Sequence, residues 1–140
     1  MQVLVPTLSF PACLRQQASP IRAAIFDVDG VLTDGTLYIS EAGETLKAFH
    51  ALDGHGLKLL AQGGITPIVI TGRDSPAVRR RLKDLGIVHA VFGAHDKLAA
   101  AEPLLKAGVA CLIEKPLAGD VKTALAIKDL AESMGSVLMV

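Results

Sequence analysis

The stretch Ile25-Phe-Asp-Val-Asp-Gly-Val-Leu-Thr-Asp34 ends a short apolar run over residues 21–26 and passes directly into acidic residues. A brief apolar run without strict alternation predicts a strand buried on both faces, the kind that lies inside a parallel sheet. At its carboxyl end Asp27 and Asp29 stand two residues apart, so an extended backbone puts both carboxylates on one side. Gly30 then frees the chain to turn. Two like charges at this spacing repel unless a cation or a substrate group lies between them. A Mg²⁺ ion held by oxygen ligands would relieve that repulsion and keep one carboxylate ionised as a nucleophile.

Working outward, the periodicity repeats the same theme. Residues 36–39 and 45–49 alternate about Glu41-Ala-Gly-Glu44, which is hairpin chemistry. Residues 57–61 read as a helix stopped by Gly63-Gly64, and residues 65–70 as a second buried strand. Helical spacing over 75–85 ends at Gly86, residues 87–92 form a third strand, and a third helix over 97–106 ends at Gly108. Pro103 inside that helix removes an N–H and is expected to kink or restart it, at about 3 kcal/mol. Residues 109–113 read as a fourth strand. A long helix over 120–134 carries Val121, Ala124, Leu125, Ile127, Leu130, Ala131 and Met134 on one stripe, and a last apolar strand spans 137–140. Residues 1–20 contain Pro6, Pro11 and Pro20, lack a clear period, and read as a loosely docked arm. Strands alternating with helices predict an α/β fold, a three-layer Rossmann-like parallel sheet with helices on both faces and a β-hairpin insertion. Residues 21–140 are expected to form one domain, with ligands outside the carboxyl ends of its strands.

Composition narrows the function. The 140 residues hold 14 Lys+Arg against 14 Asp+Glu, so no net field draws a nucleic acid or an anionic membrane. Aromatic residues make up only 4%, with no Trp, which leaves little to stack on bases. The run Arg79-Arg80-Arg81 reads as the solvated face of its helix. No apolar run reaches the roughly 20 residues needed to span a bilayer, and the first ten residues lack signal-peptide chemistry, so a cytoplasmic location is expected. Cys13 and Cys111 have no metal-ligand spacing, and Cys111 reads as a small buried hydrophobe. His50, His55, His89 and His95 show no metal spacing either and read as surface or interface residues, with His55 nearest the expected site rim.

Two further strand ends carry chemistry. Ile68-Val-Ile-Thr-Gly-Arg73 places a hydroxyl, free backbone N–H groups and a guanidinium at a strand-to-helix turn, which suits a phosphate or carboxylate. The competing role for Thr71 is as a cap of the next helix. Asp96-Lys97 opens the third helix and offers an ammonium for the same negative charge.

Together, Asp-Val-Asp-Gly-Val-Leu-Thr-Asp (27–34), Val-Ile-Thr-Gly-Arg (69–73) and Asp96-Lys97 resemble the first three motifs of the haloacid-dehalogenase (HAD) phosphatase superfamily. The stretch Asp34-Gly-Thr-Leu-Tyr-Ile-Ser with Lys47-Ala-Phe-His-Ala-Leu-Asp-Gly-His-Gly56 resembles its capless branch acting on 3-deoxy-D-manno-octulosonate 8-phosphate in lipopolysaccharide biosynthesis. The resemblance runs from about residue 21 to about residue 106. It implies Asp27 as the nucleophile that forms an aspartyl-phosphate and Asp29 as the general acid and base. It implies Thr71 and Lys97 as holders of the phosphoryl oxygens, with Gly72 and Arg73 contacting the substrate. It also implies Mg²⁺ bridging Asp27, the Asp29 backbone carbonyl and the phosphate, and a homotetramer with the hairpin over 37–49 between subunits.

The resemblance changes near residue 107. Where the superfamily carries a Gly-Asp-Asp metal motif, this chain has Val109-Ala-Cys-Leu-Ile-Glu-Lys-Pro-Leu-Ala118. Residues 107–140 resemble the Glu-Lys-Pro region of Gfo/Idh/MocA oxidoreductases, in which the residue matching Lys115 acts beside a nicotinamide. No Gly-x-Gly-x-x-Gly follows the first strand, so an NAD(P)-dependent fragment is the least favoured reading. Glu114 is expected to replace the missing Mg²⁺ ligand, with the Lys115 ammonium competing, while Asp120 is expected to cap the following helix. A scaffold that has lost turnover with its fourth motif is the alternative to an active phosphatase.

Overall fold

In the apolar strands, successive side chains leave on opposite faces, and this decides which helices cover which side. A computed structural model of the chain describes residues 10–107, 109–113, 120–135 and 138–139. Strands β1 (Ala23–Phe26) and β4 (Thr66–Ile70) pair in parallel, with Ile25 opposite Ile68 and Phe26 opposite Val69. Ala23, Ile25, Ile68 and Ile70 turn to one face and bury against Ala101 and Leu105 of α4 (Lys97–Lys106) and Ile127 and Ala131 of α5 (Val121–Ser133). Phe26 and Val69 turn to the other face. There they join Leu57 of α2 (Ala51–Gln62) and Val78 and Leu82 of α3 (Pro76–Leu85).

β5 (His89–Val91) extends the sheet beyond β4, while β6 (Cys111–Ile113) and β7 (Leu138–Met139) extend it beyond β1. The strand order is β5-β4-β1-β6-β7, and every pairing in this sheet is parallel. The chain leaves β1 toward β4 and later returns to its other side at β6. β1 is therefore the switch point, and the crevice at its carboxyl end is where an α/β sheet binds ligands. A separate hairpin, β2 (Tyr38–Ser40) with β3 (Gly43–Leu46), inserts between β1 and α2. This is the expected three-layer architecture.

Several boundaries differ from the sequence expectation for local reasons. The first large helix begins at Ala51, six residues before the predicted start, because His50 caps it by accepting from the Leu52 N–H at 3.2 Å. The glycines that obscured this start serve the packing. A Cβ on Gly54 would lie 2.4 Å from Arg81 Nη2 and 2.9 Å from Leu85 Cδ2, so a bare backbone lets α2 and α3 approach. The N-terminal stretch contains a short helix, α1 (Ala12–Ala18), with no buried residue, in place of the patternless arm. α4 runs through Pro103 as one element and does not restart there. The Pro103 ring nitrogen has no proton to donate, but the Pro103 carbonyl still accepts from the Ala107 N–H at 3.1 Å. β6 starts at Cys111, two residues late. Arg79 and Arg80 of the Arg79–Arg81 run are exposed as expected and Arg81 is half-buried, but the three have different partners. Arg80 pairs with Asp84 on its own helix, but Arg79 and Arg81 reach outside it. Glu114 and Lys115 lie outside the described residues, as does the Cys111 side chain. Asp120 caps α5 as expected, accepting from the Thr123 N–H at 2.8 Å. Among the described residues no helix is long and apolar enough to cross a membrane.

Candidate active site

The chain leaves β1 through Asp27-Val28-Asp29 and is knotted at once into a turn. The N–H groups of Val31, Leu32 and Thr33 all converge on the Val28 carbonyl, and the Thr33 hydroxyl accepts from the Gly30 and Gly35 amides. Gly30 sits at φ +83, a conformation that a side chain would strain. The turn holds both carboxylates partly buried at the switch point, with the Asp27 side chain 18% and the Asp29 side chain 23% exposed.

Each carboxylate meets a different cation. Lys97 Nζ, at the start of α4, donates to Asp27 Oδ2 at 2.5 Å, while the Val28 N–H donates to Asp27 Oδ1 at 2.7 Å. Asp96 fixes that helix start by accepting from the Ala99 N–H at 3.1 Å. Lys47 donates to Asp29 Oδ1, and Arg73 Nε stands 3.5 Å from Asp29 Oδ2. The like-charge repulsion expected at this spacing is thus relieved by three cationic side chains from β3's exit, α4 and the turn after β4.

Thr71 is buried at the end of β4, and its position excludes the helix-cap role. Ser75 takes the cap position of α3, and the Thr71 hydroxyl accepts from the Arg73 N–H at 3.3 Å. The Thr71 backbone is pinned on both sides: its N–H donates to Val91 O at 3.0 Å and its carbonyl accepts from the Ala94 N–H at 2.9 Å. Gly72 is exposed, and a Cβ there would sit 3.8 Å from the Ala94 carbonyl. Of the sequence-predicted site residues, Asp27, Asp29, Thr71, Gly72, Arg73 and Lys97 therefore come together at the carboxyl ends of β1 and β4. His55 lies exposed on α2.

Three site residues were missed in the sequence. Lys47 is 1% exposed at its side chain and bridges Asp29 to Glu44, whose Oε2 is 3.1 Å from Nζ. Burial works against the Lys47 ammonium, but the hydrogen bonds and charges of Asp29 and Glu44 outweigh it and raise its pKa. The Ser75 hydroxyl, ahead of Lys47, holds Glu44 below the usual carboxylate range against the opposing effect of burial. Glu44 Oε1 is itself buried without a full hydrogen bond. No local signal marked Lys47: the hairpin is largely exposed, with Ile39 at 67% and Leu46 at 57%, and burial begins only at Lys47, just past β3.

The donor set suits a small hard cation. Two carboxylates and the backbone carbonyls of the turn are oxygen ligands of the kind Mg²⁺ prefers, and that ion commonly needs only one or two carboxylates beside water. Among the described residues no group of three or more His, Cys, Asp or Glu side chains gathers in one place. Glu114, the further ligand expected from the sequence, lies outside the described residues.

No protein-family model matches the chain. The 3-deoxy-D-manno-octulosonate 8-phosphate phosphatase of Haemophilus influenzae is 46% identical over 97 residues, covering 69% of this chain and 54% of that protein. The chain thus spans about half the length of that curated relative. The crystal structure of the Moraxella catarrhalis enzyme of the same name, in complex with magnesium, phosphate and KDO, superposes with a TM-score of 0.64. It is 43% identical over 71% of this chain and 60% of that one. A HAD-superfamily (subfamily III A) hydrolase structure from Legionella pneumophila superposes with a TM-score of 0.63 at 29% identity, covering 86% and 87% of the two chains.

Proposed function

The chain belongs to the haloacid-dehalogenase superfamily, and on that premise we propose that it hydrolyses a phosphomonoester through a covalent intermediate on Asp27. The observation that carries the reading is the Lys97–Asp27 contact at the carboxyl end of β1, with Asp29 two residues on and Thr71 beside it. In the proposed first step an Asp27 oxygen attacks phosphorus, the bond from phosphorus to the substrate oxygen breaks, and Asp29 delivers a proton to the departing alkoxide. In the second step Asp29 takes a proton from a water that attacks the aspartyl-phosphate and frees inorganic phosphate. Thr71 and Lys97 hold the equatorial phosphoryl oxygens, where fixed donors are worth most because charge builds there. Lys47 and Arg73 orient Asp29, and Arg73, with Gly72 leaving the approach open, takes an anionic group of the substrate.

Asp27 and the Asp29 backbone carbonyl would hold Mg²⁺, which supplies charge neutralisation for the incoming phosphate. Glu114 is the proposed third protein ligand. The substrate class is a phosphorylated sugar acid. Similarity to the enzymes from Haemophilus influenzae and Moraxella catarrhalis favours 3-deoxy-D-manno-octulosonate 8-phosphate. The outward apolar residues Tyr38, Ile39 and Leu46 support a homotetramer with the hairpin packed between subunits.

The second reading is a scaffold without turnover, favoured by the lack of a three-ligand cluster among the described residues. Release of phosphate from p-nitrophenyl phosphate in Mg²⁺, with Asp27→Asn as control, separates the two. Release above the control supports the hydrolase, and equal release leaves only the scaffold.

A further inference from the structure

The turn that carries Thr71, Gly72 and Arg73 has its own clamp, and that clamp is made by a residue outside the site. Arg79, one turn into α3, reaches back to Asp74, the residue directly after Arg73. Its Nε donates to Asp74 Oδ1 and its Nη2 to Asp74 Oδ2, both at 2.7 Å. This is the two-bond fork that a guanidinium forms with a carboxylate and an ammonium cannot reproduce. The same guanidinium lies 4.0 Å from the centroid of the Phe92 ring, just beyond β5. Phe92 opens the segment whose Ala94 N–H holds the Thr71 carbonyl. Arg79 thereby ties the turn after β4 to the turn after β5, the two backbones that flank the phosphate side of the site.

Exposed ion pairs contribute little unless their geometry is forked; this pair, 54% and 52% exposed, is forked, and its guanidinium is also braced on the Phe92 ring. Arg80, its neighbour, shows the ordinary case: it pairs with Asp84 one turn along the same helix, and the two side chains are 79% and 52% exposed. We infer that Arg79 is a positioning residue that sets where Arg73 stands relative to Asp29, acting through Asp74 and braced on Phe92. The role of Arg73 as the contact for the substrate's anionic group rests on the proposed function, whereas the ordering of the turn does not.

The test compares Arg79→Lys, which keeps the charge but loses the fork and the flat ring contact, with Arg80→Ala. Amide hydrogen exchange and ¹⁵N relaxation of residues 72–75 are read alongside thermal midpoints, which show that both variants remain folded. The expected result is faster exchange and lower order at Arg73 and Asp74 in Arg79→Lys alone. In the active enzyme, KM for a sugar-acid phosphate should rise about fivefold with a smaller change in kcat, and Arg80→Ala should match the wild type. Wild-type order at residues 72–75 in Arg79→Lys would overturn the inference. So would disordered residues 72–75 with an unchanged KM. If the wild type hydrolyses no phosphomonoester, the functional reading fails by itself, and the exchange measurement still decides whether Arg79 orders the turn.

Discussion

β1 has a neighbour on each side, and the residues that follow those two neighbours differ in kind. After β4 come Thr71, Gly72 and Arg73, a hydroxyl, a bare backbone and a guanidinium, with the Thr71 backbone tied to Val91 of β5 and to Ala94 beyond it. After β6 comes Glu114 beside Lys115 and Pro116, one acid with an ammonium at its side. The first exit is furnished for an anion several times over. The second, where the topology would seat the remaining cation ligand, offers one carboxylate. On the proposed reading, phosphate recognition and metal recognition are separable demands on opposite sides of one strand, and the sequence supplies more candidate groups for the first than for the second.

The sharpest way to break that comparison is at the strand between the two exits. Asp27→Asn removes the proposed nucleophile while keeping its shape, and turnover should fall by at least about 10⁴-fold, measured as phosphate released under saturating substrate. On the anion side, Lys97→Met removes the charge that meets Asp27 at 2.5 Å. The rate constant should fall roughly 10²–10³-fold, with a Mg²⁺ dependence unlike that of a metal-site variant. On the cation side, Glu114→Gln should raise the Mg²⁺ concentration for half-maximal activity by about tenfold and leave kcat at saturating Mg²⁺ nearly unchanged. An unaltered Mg²⁺ titration would remove Glu114 from the site.

The smallest expected effect lies in the docking of the hairpin, and it is read through pH. Glu44 is held below its ordinary 4.5, so its contribution is present above that value and is lost as pH falls through the depressed folded value. Lys47 is raised above its ordinary 10.5, so its contribution is present below 10.5 and is lost as pH rises through the raised folded value. The pair therefore favours the docked hairpin across the whole range between 4.5 and 10.5. Thermal midpoints of Glu44→Gln should lose the wild type's extra decline below pH 4.5. Parallel acid limbs in the two proteins would contradict this.

What could be read in advance follows from how far apart the cooperating residues lie. Asp27 and Asp29 are two residues apart on a strand end, so spacing alone placed them, and Thr71, Arg73 and Lys97 each open a strand-to-helix turn with a local signature. Lys47 meets Asp29 across 18 residues of sequence, and it is buried directly after a hairpin whose residues are nearly all exposed. No local period encodes that. The start of α2 was hidden because Gly54 reads as a helix breaker in isolation, and its purpose appears only when Arg81 and Leu85 of α3 lie against it. Arg79 and Arg81 likewise sat in a run of three equivalent charges until the fold gave each a distinct partner. Pro103 taught the opposite lesson, since the propensity rule foresaw a kink or a restart and α4 does not restart there.

The central claim is that Asp27 becomes phosphorylated while Asp29 does not. It is tested most directly by mixing enzyme, Mg²⁺ and substrate, quenching in acid within one turnover, and reducing with borohydride, which converts an aspartyl-phosphate to homoserine. Mass spectrometry of the peptide over residues 23–34 should show homoserine at position 27, aspartate at position 29, and neither change in Asp27→Asn. Phosphate release with position 27 still aspartate after reduction would contradict the account.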